Sequence, residues 1–320
     1  MRQLYIRTDA SGIIGLGHLI RCTSLAYMLQ EHFEITFFCK EIPEKSKQEL
    51  SNFQLWVIET ETQFLNQLNK DVIVVLDGYH FDTTYQQKVK GTGSKLICID
   101  DLHEQAFVAD LIINHAPGVK QSHYIASPDT TFALGLDYVL LRPVFLKQAM
   151  EKRLIQKISS LFICFGGADT KDLTNFTLKT ALPFGMFDTI YVVTGSAYRY
   201  LVSLETLISS DSRVLHYHAI TEGEVLQLMV KSDLAIVPSS GILFEALAAG
   251  CVTISGWYVE NQRNIYKGFK EMNAIITAED FKDLSNVIEL VESKVSNNDK
   301  YLIDGLSGTR LLNAINKMIA

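Results

Sequence analysis

The sequence has 320 residues, of which 48% are hydrophobic and 20% charged, as expected for a well-packed soluble protein of two domains. Its net charge of −7 argues against a nucleic-acid partner, and no run approaches the ~20 apolar residues of a membrane span. Arg7 and Asp9 interrupt the first apolar run at once, so we expect no signal peptide. Five scattered cysteines form no disulfide or metal motif, which favours a reducing cytoplasm. We expect a monomer without cofactor or metal.

The N-terminal stretch is predicted to be a strand, a glycine loop and a helix. The run Leu4-Tyr5-Ile6 is followed by a loop over residues 9–16 and by apolar residues at helical spacing over 19–29. Gly12, Gly15 and Gly17 let the backbone approach a ligand, and the start of the helix favours an anion. The helix dipole disfavours a protonated imidazole, so His18 in the first turn is expected to be neutral and able to accept a proton.

The glycine loop departs from two known phosphate-binding patterns. His18 and Leu19 replace the Lys and Ser/Thr of a P-loop, and Ile20 replaces the third glycine of a dinucleotide fingerprint. A tight turn carrying a surface histidine therefore remains an alternative for this loop.

Strands and helices alternate through the first half, which predicts a doubly wound α/β sheet. We predict strands over 35–39, 54–58, 72–76, 95–99 and 111–113, with helices over 44–50 and 62–69. The residues that follow the later strands are polar or small: Asp77, Gly78, Tyr79, Asp100, Asp101 and Asn114. Because ligands bind at the carboxyl ends of parallel strands, we expect a polar site there beside His18. Helix caps or turn residues are the alternative for each aspartate.

The second half begins as the first does, with a strand over 160–165 and a turn at Gly166 and Gly167. Further strands are predicted over 190–194, 214–217 and 234–237. A helix and linker over 147–157 place the domain boundary at 150/151. The pattern predicts two Rossmann-like domains, 1–150 and 151–320, facing across a cleft.

A second binding motif follows the strand over 234–237. Ser239, Ser240 and Gly241 open a helix whose N–H groups suit a phosphate. Glu245, one turn further, is a suitable acceptor for two ribose hydroxyls, with a solvated surface carboxylate as the alternative. Asn261 and Gln262 lie at another strand-to-helix turn. Helices are predicted over 278–295 and 301–319, the last a candidate to pack back on the first domain.

These motifs resemble the GT-B architecture. More closely, residues 1–275 resemble the PseG family, the UDP-2,4-diacetamido-2,4,6-trideoxy-β-L-altropyranose hydrolases of pseudaminic acid biosynthesis, relatives of the peptidoglycan glycosyltransferase MurG. The residues that carry the resemblance are Arg7-Thr8-Asp9, Ile14 to His18, Arg21-Cys22, Asp77-Gly78-Tyr79, Ile99-Asp100-Asp101, Ala109 to Asn114, Gly135 with Tyr138 to Phe145, Phe165 to Asp169, Ser239-Ser240-Gly241 with Glu245, and Glu260-Asn261-Gln262. The run 135–145 is the most specific of them.

The resemblance implies metal-independent hydrolysis of a UDP-sugar at the anomeric C–O bond, which releases UDP and free sugar. It implies that His18 is the general base and that Tyr79 and Asn261 orient water, sugar or phosphate. Asp9 pairs with His18 or caps the loop. The remaining residues assigned to substrate binding are Gly15, Gly17, Arg21, Gly166, Gly167, Ser239, Ser240, Gly241, Glu245 and Gln262. A GT-B glycosyltransferase with a UDP-sugar donor and a non-catalytic nucleotide-sugar-binding protein are the alternatives.

Overall fold

The computed structural model describes residues 1–11, 14–291, 293 and 302–320. These residues divide into two compact units, the first formed by Met1–Pro143 with Leu306–Ala320 and the second by Val144–Gly305. The sequence-based division at 150/151 differs from this one in two ways. The second unit begins at Val144, and the final fifteen residues return to the first.

Unit 1 is built on a seven-stranded sheet with the order β3-β2-β1-β4-β5-β7-β9. Its strands are β1 (Arg2–Thr8), β2 (Phe33–Cys39), β3 (Gln54–Val57), β4 (Val72–Asp77), β5 (Lys95–Ile99), β7 (Leu111–Asn114) and β9 (Thr131–Leu134). All their pairings are parallel. The two short strands β6 (Ala106–Phe107) and β8 (Ile125–Ala126) pair separately. The completely buried strand β4 is apolar until its final residue, as a central parallel strand must be.

The helices of the first 143 residues are α1 (Gly17–Leu29), α2 (Glu44–Glu49), α3 (Glu61–Leu65) and α4 (Thr83–Gly91). Single 3₁₀ turns cover Gln121–His123 and Leu136–Tyr138. The charged stretch 147–157 differs from its prediction, because the helix there, α5 (Pro143–Ala149), begins earlier and ends within it. Pro143 at its first position explains the start, since proline lacks only an N–H that the first turn leaves unbonded.

Unit 2 repeats the layout with a six-stranded parallel sheet in the order β12-β11-β10-β13-β14-β15. The strands are β10 (Ser160–Cys164), β11 (Thr189–Thr194), β12 (Val214–His218), β13 (Leu234–Pro238), β14 (Val252–Gly256) and β15 (Ile276–Glu279). The helices are α6 (Leu173–Ala181), α7 (Leu201–Ser209), α8 (Glu222–Lys231), α9 (Gly241–Ala248), α10 (Arg263–Glu271) and α11 (Leu284–Glu289), with a 3₁₀ turn over Glu260–Gln262.

The helix predicted over 278–295 is wrong at its start. Residues 276–279 complete the sheet as β15, and α11 begins only at Leu284. Residues 292 and 294–301, on which both C-terminal helix predictions also fall, lie outside the described residues. The last helix, α12 (Ser307–Ile319), buries Leu311 and Ile315 in the core of unit 1, where they join α1 and the sheet.

Both sheets have a switch point, which is the pair of neighbouring strands whose following connections run towards opposite edges of the sheet. In unit 1 it lies between β1 and β4, and in unit 2 between β10 and β13. The loops that follow these four strands are the two glycine turns, the Asp77–Tyr79 segment and the Ser239–Gly241 segment. Each unit therefore presents its sequence motifs at the position where such sheets bind ligands.

Candidate functional site

The register of β1 and β4 brings the glycine loop to Asp77. Thr8 pairs with Asp77 across the two strands, so the loop that follows β1 lies beside the end of β4. Gly15 has a φ of +85°, and its N–H donates to the Ser11 carbonyl at 2.8 Å, which closes the loop before α1. A side chain at Gly15 is strained by this left-handed backbone. Gly12 lies outside the described residues.

His18 lies in the first turn of α1 and is only 6% exposed. Its Nδ1 is 2.7 Å from Asp77 Oδ1. The structure thus pairs His18 with Asp77, and of the two roles predicted for Asp9 it does not show the pairing with His18. A carboxylate on Nδ1 orients the imidazole and keeps the proton there, so that Nε2 is the nitrogen able to accept one.

Arg21, one turn further along α1, holds the other side of Asp77. Its Nε donates to Asp77 Oδ2 at 2.6 Å and its Nη2 to Asp77 Oδ1 at 2.5 Å. Its Nη1 donates to Asp101 Oδ2 at 2.9 Å, and the side chain is 12% exposed. The guanidinium is therefore committed to two carboxylates, and the assignment of Arg21 to substrate binding stays a prediction.

Burial of Asp77 would raise its pKa, but the charge and hydrogen bonds of Arg21, with the bond to His18, hold that pKa at about 2. The carboxylate is completely buried, so its ionised form depends on these partners. Asp77 is consequently anionic at neutral pH.

Tyr79 completes the cluster on its outer side. Its hydroxyl donates to Asp101 Oδ2 at 3.1 Å, and its ring meets the His18 ring edge to face, with centroids 4.6 Å apart. The side chain is half exposed, unlike His18. Tyr79 and Arg21 also line a cavity of about 270 Å³ that extends between α4 and the segment after β5. The expected polar site at the strand ends is thus present in unit 1.

Asp9 belongs to a neighbouring network. Its Oδ1 accepts from Arg7 Nη1 at 2.7 Å and from the backbone N–H groups of Lys40 and Glu41 at 2.6 and 3.1 Å. Burial would raise the pKa of Asp9, but Arg7 and the two N–H groups lower it overall. Asp9 therefore links the end of β1, where the glycine loop begins, to the residues that follow β2.

In unit 2 the first glycine turn follows β10. Gly166 has a φ of +83°, and a Cβ on Gly195, in the turn after β11, would lie 2.4 Å from Gly167 Cα. The turns after β10 and β11 therefore pack backbone against backbone. Gly195 escaped the sequence analysis, although a glycine directly after a parallel strand is itself a signal of close approach.

The second motif lies at the start of α9. Ser240 is its N-cap without a side-chain capping bond, and Gly241 is exposed, so this helix start is open. Ser239 is completely buried, and its Oγ lies 2.9 Å from Ser255 Oγ, which corrects its assignment to substrate binding. Glu245 is only 6% exposed, which excludes the solvated alternative.

The motif before α10 separates into one exposed and one buried residue. Asn261 is exposed in its 3₁₀ turn. Gln262 is buried, and its Oε1 accepts from the Tyr258 N–H at 3.0 Å. Gln262 therefore uses that oxygen to shape the turn, and its assignment to substrate binding stays a prediction. The assignments of Gly17, Gly166, Gly167, Ser240 and Gly241 to substrate binding stay predictions.

Two further observations concern the described part of the chain. It contains no helix of the length and apolar character needed to cross a membrane. It also brings together no group of three or more His, Cys, Asp and Glu side chains suited to a metal ion.

Comparison with known proteins places this geometry in a fold class. No profile of a known protein family matches the chain. MurG of Acinetobacter baumannii superposes with a TM-score of 0.69 at 11% identity, over 98% of this chain and 99% of that one. The Anabaena protein HepE, crystallised with UDP, superposes with a TM-score of 0.64 at 11% identity, over 99% and 100% of the two chains. The chain therefore has the GT-B fold, with two Rossmann-like α/β units.

Two curated proteins are similar in sequence. An uncharacterised protein of Methanocaldococcus jannaschii, MJ1062, is 26% identical over 282 residues, which are 83% of this chain and 58% of that protein. The spore coat polysaccharide biosynthesis protein SpsG of Bacillus subtilis is 24% identical over 278 residues, 82% of this chain and 79% of its own length. The chain thus spans little more than half of the first relative and most of the second.

Proposed function

We propose that this protein is an enzyme that hydrolyses a UDP-linked sugar at its anomeric C–O bond. The substrate is a UDP-2,4-diacetamido-2,4,6-trideoxy sugar, and the products are UDP and the free sugar for pseudaminic acid synthesis. The observation that carries the proposal is the 2.7 Å contact of His18 Nδ1 with Asp77, which leaves Nε2 as the proton acceptor. The similarity to a spore coat polysaccharide biosynthesis protein supports a role in carbohydrate synthesis, and the fold shared with HepE, which binds UDP, supports a UDP-linked substrate.

In this mechanism unit 2 holds the nucleotide. The open start of α9 supplies the Ser240 hydroxyl, the Gly241 N–H and a helix dipole for the diphosphate, and the turn at Gly166 and Gly167 lets the backbone approach it. The buried carboxylate of Glu245 accepts hydrogen bonds from the ribose hydroxyls. These donors also stabilise the negative charge that develops on the departing UDP.

His18 supplies the base. Its Nε2 takes a proton from water as the water oxygen bonds to the anomeric carbon, and the C1–O bond breaks with its electron pair passing to UDP. Asp77 stabilises the imidazolium that forms. Tyr79 and Asn261, both exposed, orient the water or the sugar.

UDP release from the diacetamido sugar nucleotide, measured by a coupled assay or chromatography, tests the proposal. We expect His18→Gln to lower kcat by about 10²–10⁴-fold with little change in the Kd of UDP, because only the proton acceptor is lost. His32→Gln, at an exposed histidine just beyond α1, is the matched control and should retain activity. Equal activity of wild type and His18→Gln contradicts the mechanism.

The same assay separates the two alternatives. UDP release that requires an added sugar or lipid acceptor identifies a glycosyltransferase. Tight UDP binding with no turnover of any donor identifies a nucleotide-sugar-binding protein.

A further inference from the structure

His18 Nδ1 lies between an acceptor and a donor. Asp77 Oδ1 is 2.7 Å away and Arg21 Nη2 is 2.9 Å away. A guanidinium can only donate, and a carboxylate can only accept. The two neighbours therefore favour opposite tautomers of the same ring, and the placement of its proton is decided by their balance.

The carboxylate determines the tautomer. With the proton on Nε2, the Nδ1 lone pair would face the Asp77 anion at 2.7 Å, which is repulsive. With the proton on Nδ1, that contact becomes a hydrogen bond to an ion. Arg21 Nη2 loses little in this arrangement, because it already donates to Asp77 Oδ1. Asp77 thus selects the tautomer with a bare Nε2.

The Arg21 guanidinium determines the charge of the His18 ring. An uncompensated buried carboxylate beside a histidine favours the imidazolium, which is useless as a base. Arg21 donates two hydrogen bonds to that carboxylate and adds a positive charge on the same side of the ring. We propose that Arg21 is a positioning residue that neutralises Asp77 and so keeps His18 in the uncharged form with Nε2 unprotonated. This role rests on the proposed function of His18 as a base.

The other groups around His18 contribute less. The segment after β4 brings the Tyr79 ring edge to face with His18, whereas the Nε2 of His80 lies 3.5 Å from Asp9 Oδ2. Cys22 Sγ, from α1, donates to Asp77 Oδ2 at 3.4 Å, and Asp101 reaches the cluster through Arg21 Nη1. Arg21 is the one cation among the described residues in hydrogen-bond contact with Asp77.

Nitrogen-15 NMR of the full chain labelled at its eight histidines reads the proton directly. The His18 signals are assigned by their loss in His18→Gln. In wild type at neutral pH we expect Nδ1 protonated and Nε2 bare. In Arg21→Met we expect both nitrogens to be protonated over a wider pH range than in wild type, because Asp77 is no longer neutralised. A wild-type ring protonated on Nε2, or a titration unchanged in Arg21→Met, overturns the inference.

Two further variants keep the test decisive if Arg21→Met does not fold. Asp77→Asn removes the anion beside the ring and leaves Arg21 with Asp101 as its one carboxylate among the described residues, so His18 should lose its second proton at a lower pH than in wild type. Arg21→Lys retains the cation and should restore the wild-type titration. A purely structural role predicts that none of these variants moves the titration.

The pH dependence of the proposed hydrolysis provides a second test of the same variants. On the acidic side of the pH–kcat profile, the pH at which kcat falls should be higher in Arg21→Met and lower in Asp77→Asn than in wild type. Because the NMR titration needs no turnover, it still tests Arg21 if the UDP-sugar assay shows no hydrolysis.

Discussion

At the scale of single residues, the cluster in unit 1 is a buried charge system whose ionised state depends on its partners. Asp77 is completely buried and receives two hydrogen bonds from Arg21. Separating such a carboxylate from its cation lowers the stability of the folded protein, because a buried charge in a low-dielectric environment needs an opposite charge beside it. Acid conditions therefore test the cluster directly.

The first prediction concerns acid unfolding through Asp77. Its folded pKa of about 2 lies below its usual value of 3.8, so the unfolded chain takes up the proton first as the pH falls. The stabilisation is complete above about pH 4 and is lost as the pH falls towards 2, by about 2 kcal/mol. Urea unfolding at stepped pH measures it. In Asp77→Asn the loss across this window should be smaller by that amount, and an equal loss contradicts the prediction.

The second prediction uses a different pH window. Burial, followed by the nearby Arg21 charge, lowers the pKa of His115 from 6.5 to about 4, and its Nδ1 accepts from the Leu140 N–H at 3.0 Å. The unfolded chain binds this proton first, so stability falls between about pH 6.5 and 4, by at most about 3 kcal/mol because the ring keeps some solvent contact. His115→Asn preserves an acceptor for Leu140 and should remove that fall. The exposed His32→Asn should not.

At the scale of secondary-structure elements, the proposed function depends on turns that follow parallel strands. In unit 2 the turns after β10 and β11 touch through their backbones at Gly167 and Gly195. This contact leaves no room for a methyl group, so the shape of the proposed diphosphate site depends on a residue outside that site.

The third prediction follows from this contact. Gly195→Ala would place a Cβ 2.4 Å from Gly167 Cα and 2.5 Å from its carbonyl oxygen, so the glycine turn must move. We expect the Kd of UDP, measured by calorimetry, to rise by about tenfold or more, which corresponds to about 1.4 kcal/mol. Gly185→Ala is the matched control, since a Cβ there meets no atom within 4 Å. An unchanged Kd in Gly195→Ala indicates that the nucleotide does not use this turn.

At the scale of the whole molecule, the chain leaves unit 1 and returns to it. Residues 306–320 supply α12, and Leu311 and Ile315 are completely buried in the core that contains α1. The stability of unit 1 therefore depends on residues more than a hundred and sixty positions from its own first segment.

The fourth prediction measures that dependence unit by unit. Each unit contains one of the two tryptophans, Trp56 in unit 1 and Trp257 in unit 2. In a variant that keeps only one of them, the other being replaced by Phe, tryptophan fluorescence follows the unfolding of a single unit. Leu311→Ala should destabilise the Trp56 transition by about 2–5 kcal/mol through the cavity it creates, and leave the Trp257 transition unchanged. Lys317→Ala, at an exposed position of α12, is the control. Equal shifts of both transitions would show that the two units unfold as one.

The sequence by itself determined the α/β class, most strands, the two glycine turns and the candidate base. These features are local: continuous apolar runs indicate buried parallel strands, and a glycine run between strand and helix marks a site of backbone approach. Apolar periodicity could not separate β15 from the helix predicted over 278–295, because a short apolar run suits both.

Only the tertiary structure decided which side chains meet. The partner of His18 is Asp77, 59 positions away, because the register pairs Thr8 with Asp77, whereas the nearer Asp9 turns to Arg7. Arg21 and Ser239 carry polar groups suited to a ligand, yet each bonds to a protein neighbour far along the chain that no local pattern reveals. Strand register and sheet order bring distant residues into contact, and these depend on the packing of the whole unit rather than on the spacing of neighbours along the chain.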